Sequence, residues 1–245
     1  MSDRPSSWFA TWGFLAALAG AAGCVLAGFG TRAELWAFGV GFRVLGWAVV
    51  GALIGTVLSL IGLLATRGGK KRGRAGALVG VVLGLAAAGF PAWYLVNARS
   101  LPAIHDITTD PENPPVFSAV VPLRRGAPNG VEYEGASVAE QQRRAYPDLR
   151  SLALVMPANQ AFDRALERAR EMGWDIVDAN PAHGRIEATA TTFWFGFKDD
   201  VIVRVSATES GSRIDVRSLS RVGRSDVGAN ARRIRCYLST LSAAG

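Results

Sequence analysis

Three uninterrupted apolar runs fill the first hundred residues; after them the pattern breaks into short alternating segments punctuated by proline and glycine. The runs 8–30 (WFATWGFLAALAGAAGCVLAGFG), 44–66 (VLGWAVVGALIGTVLSLIGLLAT) and 75–97 (AGALVGVVLGLAAAGFPAWYLVN) are each 23 residues long and carry no charge. At about 1.5 Å rise per residue each run reaches about 34 Å, enough to cross a hydrocarbon core of about 30 Å with some tilt. The pattern predicts three transmembrane helices. Trp8, Trp12, Trp36, Trp93 and Tyr94 fall near the predicted ends, where amphipathic rings sit at headgroup level. Small residues recur four apart in each span: Ala16, Gly20, Cys24 and Gly28; Gly51, Gly55 and Ser59; Gly76, Gly80, Gly84 and Ala88. Such ribbons let backbones approach closely in lipid, which predicts a compact bundle and leaves room for homo-oligomerisation through an unused ribbon.

Beyond residue 98 the expected order is a proline-punctuated linker over 99–135 and an α+β domain over 136–245. In "TTDPENPPVF" the residue before each proline is driven out of helix. Ser137 with Glu140 has capping-box spacing, predicting a helix over 137–146 that Pro147 stops. "SLALV" (151–155) reads as a strand. Pro157 opens a helix whose stripe of Phe162, Leu166, Ala169 and Met172 ends at Gly173. Strands are expected at about 174–179, 185–195, 200–208 and 212–220, with "SGS" (210–212) as a hairpin turn. A last helix over 226–241 buries Val227, Ile234, Leu238 and Leu241. Strands in runs, flanked by helices, argue for a mainly antiparallel sheet rather than βαβ units. The expected fold class is an α-helical transmembrane bundle followed by an α+β domain.

Charge refines this picture. The chain carries 27 Lys and Arg against 20 Asp and Glu. Residues 1–99 hold nine basic side chains against Asp3 and Glu34, whereas residues 100–245 hold eighteen of each sign. The excess therefore belongs to the apolar half, where basic residues set topology, and gives no reason to expect a nucleic-acid partner. The connector 67–74, RGGKKRGR, has five basic residues and no acid. It predicts a cytoplasmic loop and N-terminus, with everything after residue 98 outside. In a bacterial inner membrane that side is the periplasm. "AAGC" at 21–24 is a weak lipoprotein signal, because Ala21 replaces a branched residue and two more spans follow. Cys24 in the bilayer and Cys236 in the last helix are not expected to pair.

Two stretches are specific enough to carry a resemblance. "IHDITTDPENPPVF" (104–117) and "IDVRSLSRVGRSDVGANARRIRCYL" (214–238) resemble the uncharacterised bacterial and plastid family called domain of unknown function 1499. The resemblance covers about 104–241 and implies a small α+β domain, commonly membrane-attached. It implies no activity and no catalytic residues.

Candidate chemistry must come from the residues. Arg221 and Arg224 flank a turn that feeds the last helix at Ser225 and Asp226. Free N–H groups at a helix start, joined by guanidiniums, suit a phosphate or carboxylate, so Arg221, Arg224 and Ser225 form a candidate anion site. Asp226 opposes this, since its carboxylate suits the same N–H groups. Gly223-Arg224-Ser225 also resembles a nucleophile elbow, but Val227 stands where the second glycine belongs. Neither histidine, His105 or His183, has a recognisable partner as a base. His105, Asp106, Asp110 and Glu112 are rich in donor atoms but match no metal-site spacing. In "FWFGFKDD" (193–200), strand alternation places Phe193, Phe195 and Phe197 on one face and Trp194 on the other. This apolar stretch is expected to be core, a tip dipping into the outer leaflet, or the wall of a ligand pocket.

No catalytic residue, metal or cofactor is expected. The expected function is a non-enzymatic inner-membrane protein, with the lipid bilayer as its first partner and a periplasmic domain that binds an envelope component or partner protein. The alternatives are a periplasmic carrier or sensor of an apolar anion or lipid and, ranked last, a serine hydrolase built on Ser225.

Overall fold

Where two helices must pack in hydrocarbon, side-chain size decides how close they come. In the computed structural model, which describes residues 4–242, three long helices form: α1 (Trp8–Arg32), α2 (Phe38–Ala65) and α3 (Arg74–Arg99). All three are long and apolar enough to cross a membrane. The chain divides into two compact units, the first running to Asn97 and including Phe193–Gly196, the second comprising Ala98–Thr192 and Phe197 onward.

Within the first unit, α1 and α2 meet backbone to backbone. A Cβ on Gly55 would lie 2.3 Å from the Ala17 amide nitrogen, and one on Gly20 only 2.6 Å from that of Ala52. The third helix contacts the pair more softly. A Cβ on Gly84 would meet Thr56 Oγ1 at 2.1 Å, and one on Gly80 would meet Ser59 Oγ at 2.2 Å. Large side chains such as Leu53, Val57, Leu78, Val82 and Leu85 point outward. The compact bundle expected from the ribbons is thus present, but its contact faces differ from strict four-residue spacing. On α1 the buried track runs through Ala10, Gly13, Ala17, Gly20, Cys24 and Ala27. Gly51 and Gly76, expected on contact faces, have open space beside them. Four residues turn an α-helix about 40° past a full turn, so a contact face alternates steps of three and four.

The second unit is an antiparallel α+β fold, as expected. Its strands are β1 (Asp106–Thr108), β2 (Leu152–Leu154), β3 (Asp175–Asn180), β4 (Arg185–Thr191), β5 (Lys198–Thr208) and β6 (Gly211–Ser220). They form one six-stranded sheet in the order β1-β6-β5-β4-β3, with β2 pairing on β6 as well. β1 and β2 share one edge of β6, at Arg217–Leu219 and Ser212–Ile214 respectively.

One face of the sheet is apolar. Ile186, Ala188, Val201, Val203, Val205, Ile214 and Val216 are buried there. The helices α5 (Ala158–Glu171) and α6 (Ala229–Ser242) contribute to the same core with Ala161, Phe162, Ala165, Ala231, Ile234 and Tyr237. The Tyr237 hydroxyl, fully buried, donates to the Ala165 carbonyl at 2.7 Å and ties the two helices together. A short helix α4 (Ala136–Ala145) follows Gly135, whose φ of 81° favours glycine. The expected capping box does not form, and Glu140 pairs with Arg144 one turn later instead.

Four boundaries move from their expected places: α2 begins at Phe38 rather than 44, taking in Arg43, and the other three lie in or beside the second unit. The stretch 99–135 is not a linker: it supplies β1 and buries Ile104, Ile107, Phe117, Val120 and Arg124. Beyond these apolar anchors its attachments are hydrogen bonds, which apolar periodicity does not register. The strand expected over 185–195 stops at Thr191, because 192–197 turns back on itself. There Thr192 N–H donates to the Phe197 carbonyl at 2.8 Å, Phe197 N–H donates to Thr192 Oγ1 at 2.8 Å, and Gly196 adopts φ 68°. The last helix starts at Ala229 rather than 226, behind a turn in which Val227 takes φ 52°. Positive φ at a β-branched residue is strained, so this turn is held by its contacts rather than by local preference.

Candidate functional site

The second face of the sheet sets charges around a small apolar cluster, Ile202 and Leu219, which Phe117 and Val120 cover. Strand alternation puts Glu187 and Thr189 of β4, Asp200 and Arg204 of β5, and Asp215 and Arg217 of β6 on the side opposite α5 and α6. Glu187, Asp200, Asp215 and Arg217 are all at most 2 % exposed. Burial of that many charges is costly unless each is matched.

Matching is supplied by the 109–131 segment, which roofs this face. Glu187 accepts from the Ser118 N–H at 3.0 Å and the Val120 N–H at 2.9 Å. Asp200 accepts from Arg124 Nη1 at 2.5 Å, from Arg221 Nη2 at 2.8 Å and Nε at 3.0 Å, and from Thr189 Oγ1 at 2.8 Å. Arg217 grips Asp106 with two nitrogens, Nε at 2.9 Å and Nη2 at 2.7 Å. It also donates to the carbonyls of Pro115 at 3.1 Å and Val131 at 2.7 Å. The rings of Phe117 and Tyr133 lie 5.0 and 5.4 Å from its guanidinium carbon. At the open end, Arg204 bridges Asp110 at 2.9 Å and Asp215 at 2.8 Å, and Arg213 contacts the same two carboxylates at 2.7 and 3.0 Å.

The roof shapes the titration of its groups. Burial pushes the Asp106 carboxyl above its ordinary value, against the hydrogen bonds and charge of Arg217 that pull it down. Burial and then the Asp106 charge push the Tyr133 phenol up to about 12. The Tyr133 hydroxyl is buried without a hydrogen-bond partner among the described residues, so the folded state prefers the neutral phenol. A phenol raised in the folded state stabilises fully below its unfolded value near pH 10, and that contribution is lost as pH rises toward 12. Tyr133→Phe should therefore flatten the fall in stability between about pH 10 and 12, measured by denaturant unfolding across that range. An unchanged slope would remove Tyr133 from the alkaline transition.

The sequence-predicted anion residues are placed apart. Arg221 is directed to Asp200 and Thr189, whereas the Ser218 and Ser220 hydroxyls on the other face of β6 meet Asn230 of α6. Arg224 is exposed and makes no ion pair or side-chain hydrogen bond among the described residues. Asp226 takes the amides at the start of α6, Oδ1 accepting from Gly228 at 2.8 Å and Oδ2 from Asn230 at 2.7 Å. Burial pushes the Asp226 carboxyl up, and these two hydrogen bonds offset it in part. Carboxylates of the chain itself thus stand where an anion would bind. The Ser225 hydroxyl donates to the Pro102 carbonyl at 3.3 Å and accepts from the Val227 N–H at 3.2 Å, which is turn chemistry.

His105, Asp106, Asp110 and Glu112 do not converge. His105 faces Glu134 at 3.6 Å, Asp106 is held by Arg217, Asp110 by Arg204 and Arg213, and Glu112 by Arg143. His183 closes a short turn in which its N–H donates to Asn180 Oδ1 at 3.1 Å.

The aromatic stretch lies in the β4–β5 loop rather than on a strand, and four of its residues belong to the first unit. There the Trp194 ring covers Gly28 and lies 5.7 Å from Phe90, Phe195 stacks on Phe42 at 5.0 Å, and Phe193 meets Phe29 edge-on at 5.5 Å. Trp194 also borders an apolar recess of about 310 Å³ between α1 and α3, lined by Cys24, Val25, Leu83, Phe90 and Pro91. Phe197, by contrast, falls in the second unit at the loop's return. In the second unit a more polar recess of about 290 Å³ is lined by Thr109, Gln142, Arg143, Tyr146 and Arg150.

A family profile described as "Protein of unknown function (DUF1499)" matches residues 106–241, more than half of the chain. The chain belongs to this family. A comparison with curated proteins finds no match.

The DUF1499 match opens at Asp106, clamped by Arg217, and closes at Leu241, fully buried on α6. The two stretches that carried the resemblance are neighbours in space. β1 pairs with β6 in the register Asp106↔Leu219, and Asp110 from the first stretch reaches Arg204 and Arg213 beside the second. In this DUF1499 domain Asp106, Asp110, Asp215, Arg217 and Arg221 of these stretches are therefore used to fasten the roof to the sheet. Arg124, Glu187 and Asp200, central to that fastening, were not singled out from the sequence. A signal existed for Asp200 and Glu187: alternation with Val201, Val203, Ile186 and Ala188 sets them on the face those residues leave.

Proposed function

We propose that this DUF1499 protein is a non-enzymatic protein of the bacterial inner membrane, anchored by α1–α3, whose α+β unit lies in the periplasm and binds an envelope component or a partner protein. What supports the non-enzymatic reading is the fate of the charged groups. Glu187, Asp200, Asp215 and Arg217 are saturated by partners within the chain, and no hydrogen bond joins Ser225 to either histidine among the described residues. An acid–base or nucleophilic pair needs a group poised toward an open position. Orientation is supported by the five basic residues of the 67–74 connector. A reporter that works only in the periplasm should be active when fused after Gly245, and one that works only in the cytoplasm should be silent. Strong cytoplasmic signal there would overturn the orientation and the periplasmic role with it.

A second reading, a carrier or sensor of a lipid or apolar anion, draws support from the recess of about 310 Å³ beside Trp194. Native mass spectrometry of the gently purified full chain separates the two. A single retained lipid that Trp194→Ala releases would favour the carrier; a chain that holds no such lipid favours the partner-binding role. Gly51 and Gly76, with open space beside them, offer faces on which a second copy of the chain would pack.

A further inference from the structure

The basic connector does more than report topology. Residues 5–7 and 72 are clamped together at one end of the first unit: Arg72 N–H donates to the Pro5 carbonyl at 3.0 Å, and Ser7 N–H to the Arg72 carbonyl at 3.0 Å. Ser6 pairs with Arg72 as an isolated parallel bridge, and Ser7, 1 % exposed, caps α1 through its Oγ, which accepts from the Ala10 N–H. The clamp carries Arg4 over the connector, so close that a Cβ on Gly69 would lie 3.4 Å from Arg4 Nη1. Two segments separated in sequence thereby form one surface.

That surface holds Arg4, Arg67, Lys70, Lys71, Arg72 and Arg74, all exposed. None of the six forms an ion pair among the described residues. The only acids before residue 100 are Glu34, in the α1–α2 connection, and Asp3, which lies outside the described residues. By contrast, many of the arginines of the second unit are matched to a carboxylate. The six cations also sit where the start of α1, the end of α2 and the start of α3 converge, which is the membrane-water boundary for helices of this length.

We propose that this clamped basic end is a binding surface for the headgroups of anionic phospholipids. Flexible lysines near a membrane attract anionic lipid through diffuse charge alone, falling off within a Debye length. Here the backbone clamp also holds the Arg4 and Arg72 positions side by side, and their guanidiniums are able to meet a phosphate with a planar fork. The inference does not depend on which side of the membrane the end faces, and it is independent of the role of the α+β unit.

The test uses the full chain in nanodiscs of phosphatidylcholine with a minority of phosphatidylglycerol, followed by mass spectrometry of lipids that stay bound on release. Phosphatidylglycerol should be retained several-fold above its share of the bilayer, less so as salt rises. Each cation removed should lower that preference by up to about fivefold. The combined variant Lys70→Gln, Lys71→Gln and Arg72→Gln should bring it to the bulk share, and Arg4→Gln alone should lower it. Arg43→Gln, near the start of α2 at the other end of the unit, should bind like the parent. Retention at the bulk share in the parent, a preference insensitive to salt, or an equal loss in Arg43→Gln would each overturn the proposal. The substituted side chains are exposed, so thermal stability in detergent should match the parent, and the salt series on the parent stands whether or not a variant folds.

Discussion

Gly55→Leu should disrupt the helical unit, whereas Gly51→Leu, one turn away on the same helix, should leave it intact. At Gly55 even the first carbon of a side chain would lie 2.3 Å from a backbone nitrogen of α1, and backbone cannot step aside as a rotamer can. Overpacking of well-filled sites costs about 1–3 kcal/mol, and a clash with main chain belongs at the upper end or beyond. At Gly51 there is only open space, where a leucine would meet no other part of the chain. Gly80→Leu and Gly84→Leu should fall between, because their nearest obstacles are the Ser59 and Thr56 hydroxyls. Thermal unfolding of the full chain in mild detergent ranks the four. Equal stability of the Gly55 and Gly51 variants would mean that α1 and α2 do not pack through this face.

The second large effect concerns the roof. Arg217→Ala removes a cation that is 2 % exposed and leaves the buried Asp106 carboxylate without its two-pronged donor, with the Pro115 and Val131 carbonyls also losing a donor. Breaking one side of a buried pair typically costs about 3–5 kcal/mol. Replacing both sides is gentler, since no orphaned charge remains. The double variant Asp106→Leu, Arg217→Met should therefore be more stable than Arg217→Ala alone, although it removes more polar contacts. Chemical denaturation of the full chain, followed by the near-ultraviolet signal of Trp174 and its neighbours, measures both. If the double variant is the less stable of the two, the pair contributes net attraction beyond what its desolvation costs.

Much of the architecture is written in the order of the residues. Runs without charge give α1 and α3 to within two residues at each end, because a lipid-facing helix tolerates so little else, whereas α2 begins six residues before its run and takes in Arg43. The alternation Val201, Val203, Val205 and Ile214, Val216 gives β5 and β6, and the turn at Ser210 gives their pairing. What pattern could not give was anything held by polar atoms. The 99–135 segment lacks periodicity because Ser118, Val120, Pro115 and Val131 attach through backbone groups, which every residue shares. The arginines near the C-terminus read as a candidate anion site because their partners are distant in sequence. Arg221 finds Asp200 by strand pairing, and Arg217 finds Asp106 across 111 positions. The aromatic stretch read as strand because its rings favour strands and it continues β4 directly; only Gly196, with its positive φ, marks the place where the chain turns.

That separation also governs when the fold can form. β6 is the shared partner of β1, β2 and β5, yet it is synthesised after every other strand of the sheet. Until it arrives, β1 and the roof have no sheet to join, and their charged side chains must remain in water. Contacts so distant along the chain close slowly, because the intervening loop must be ordered before they stabilise anything. The three helices, whose pairings are local, have no such delay. The membrane anchor is therefore expected to be in place while the domain behind it is still an open chain, and a truncation that removes β6 would leave an inserted anchor carrying an unfolded tail.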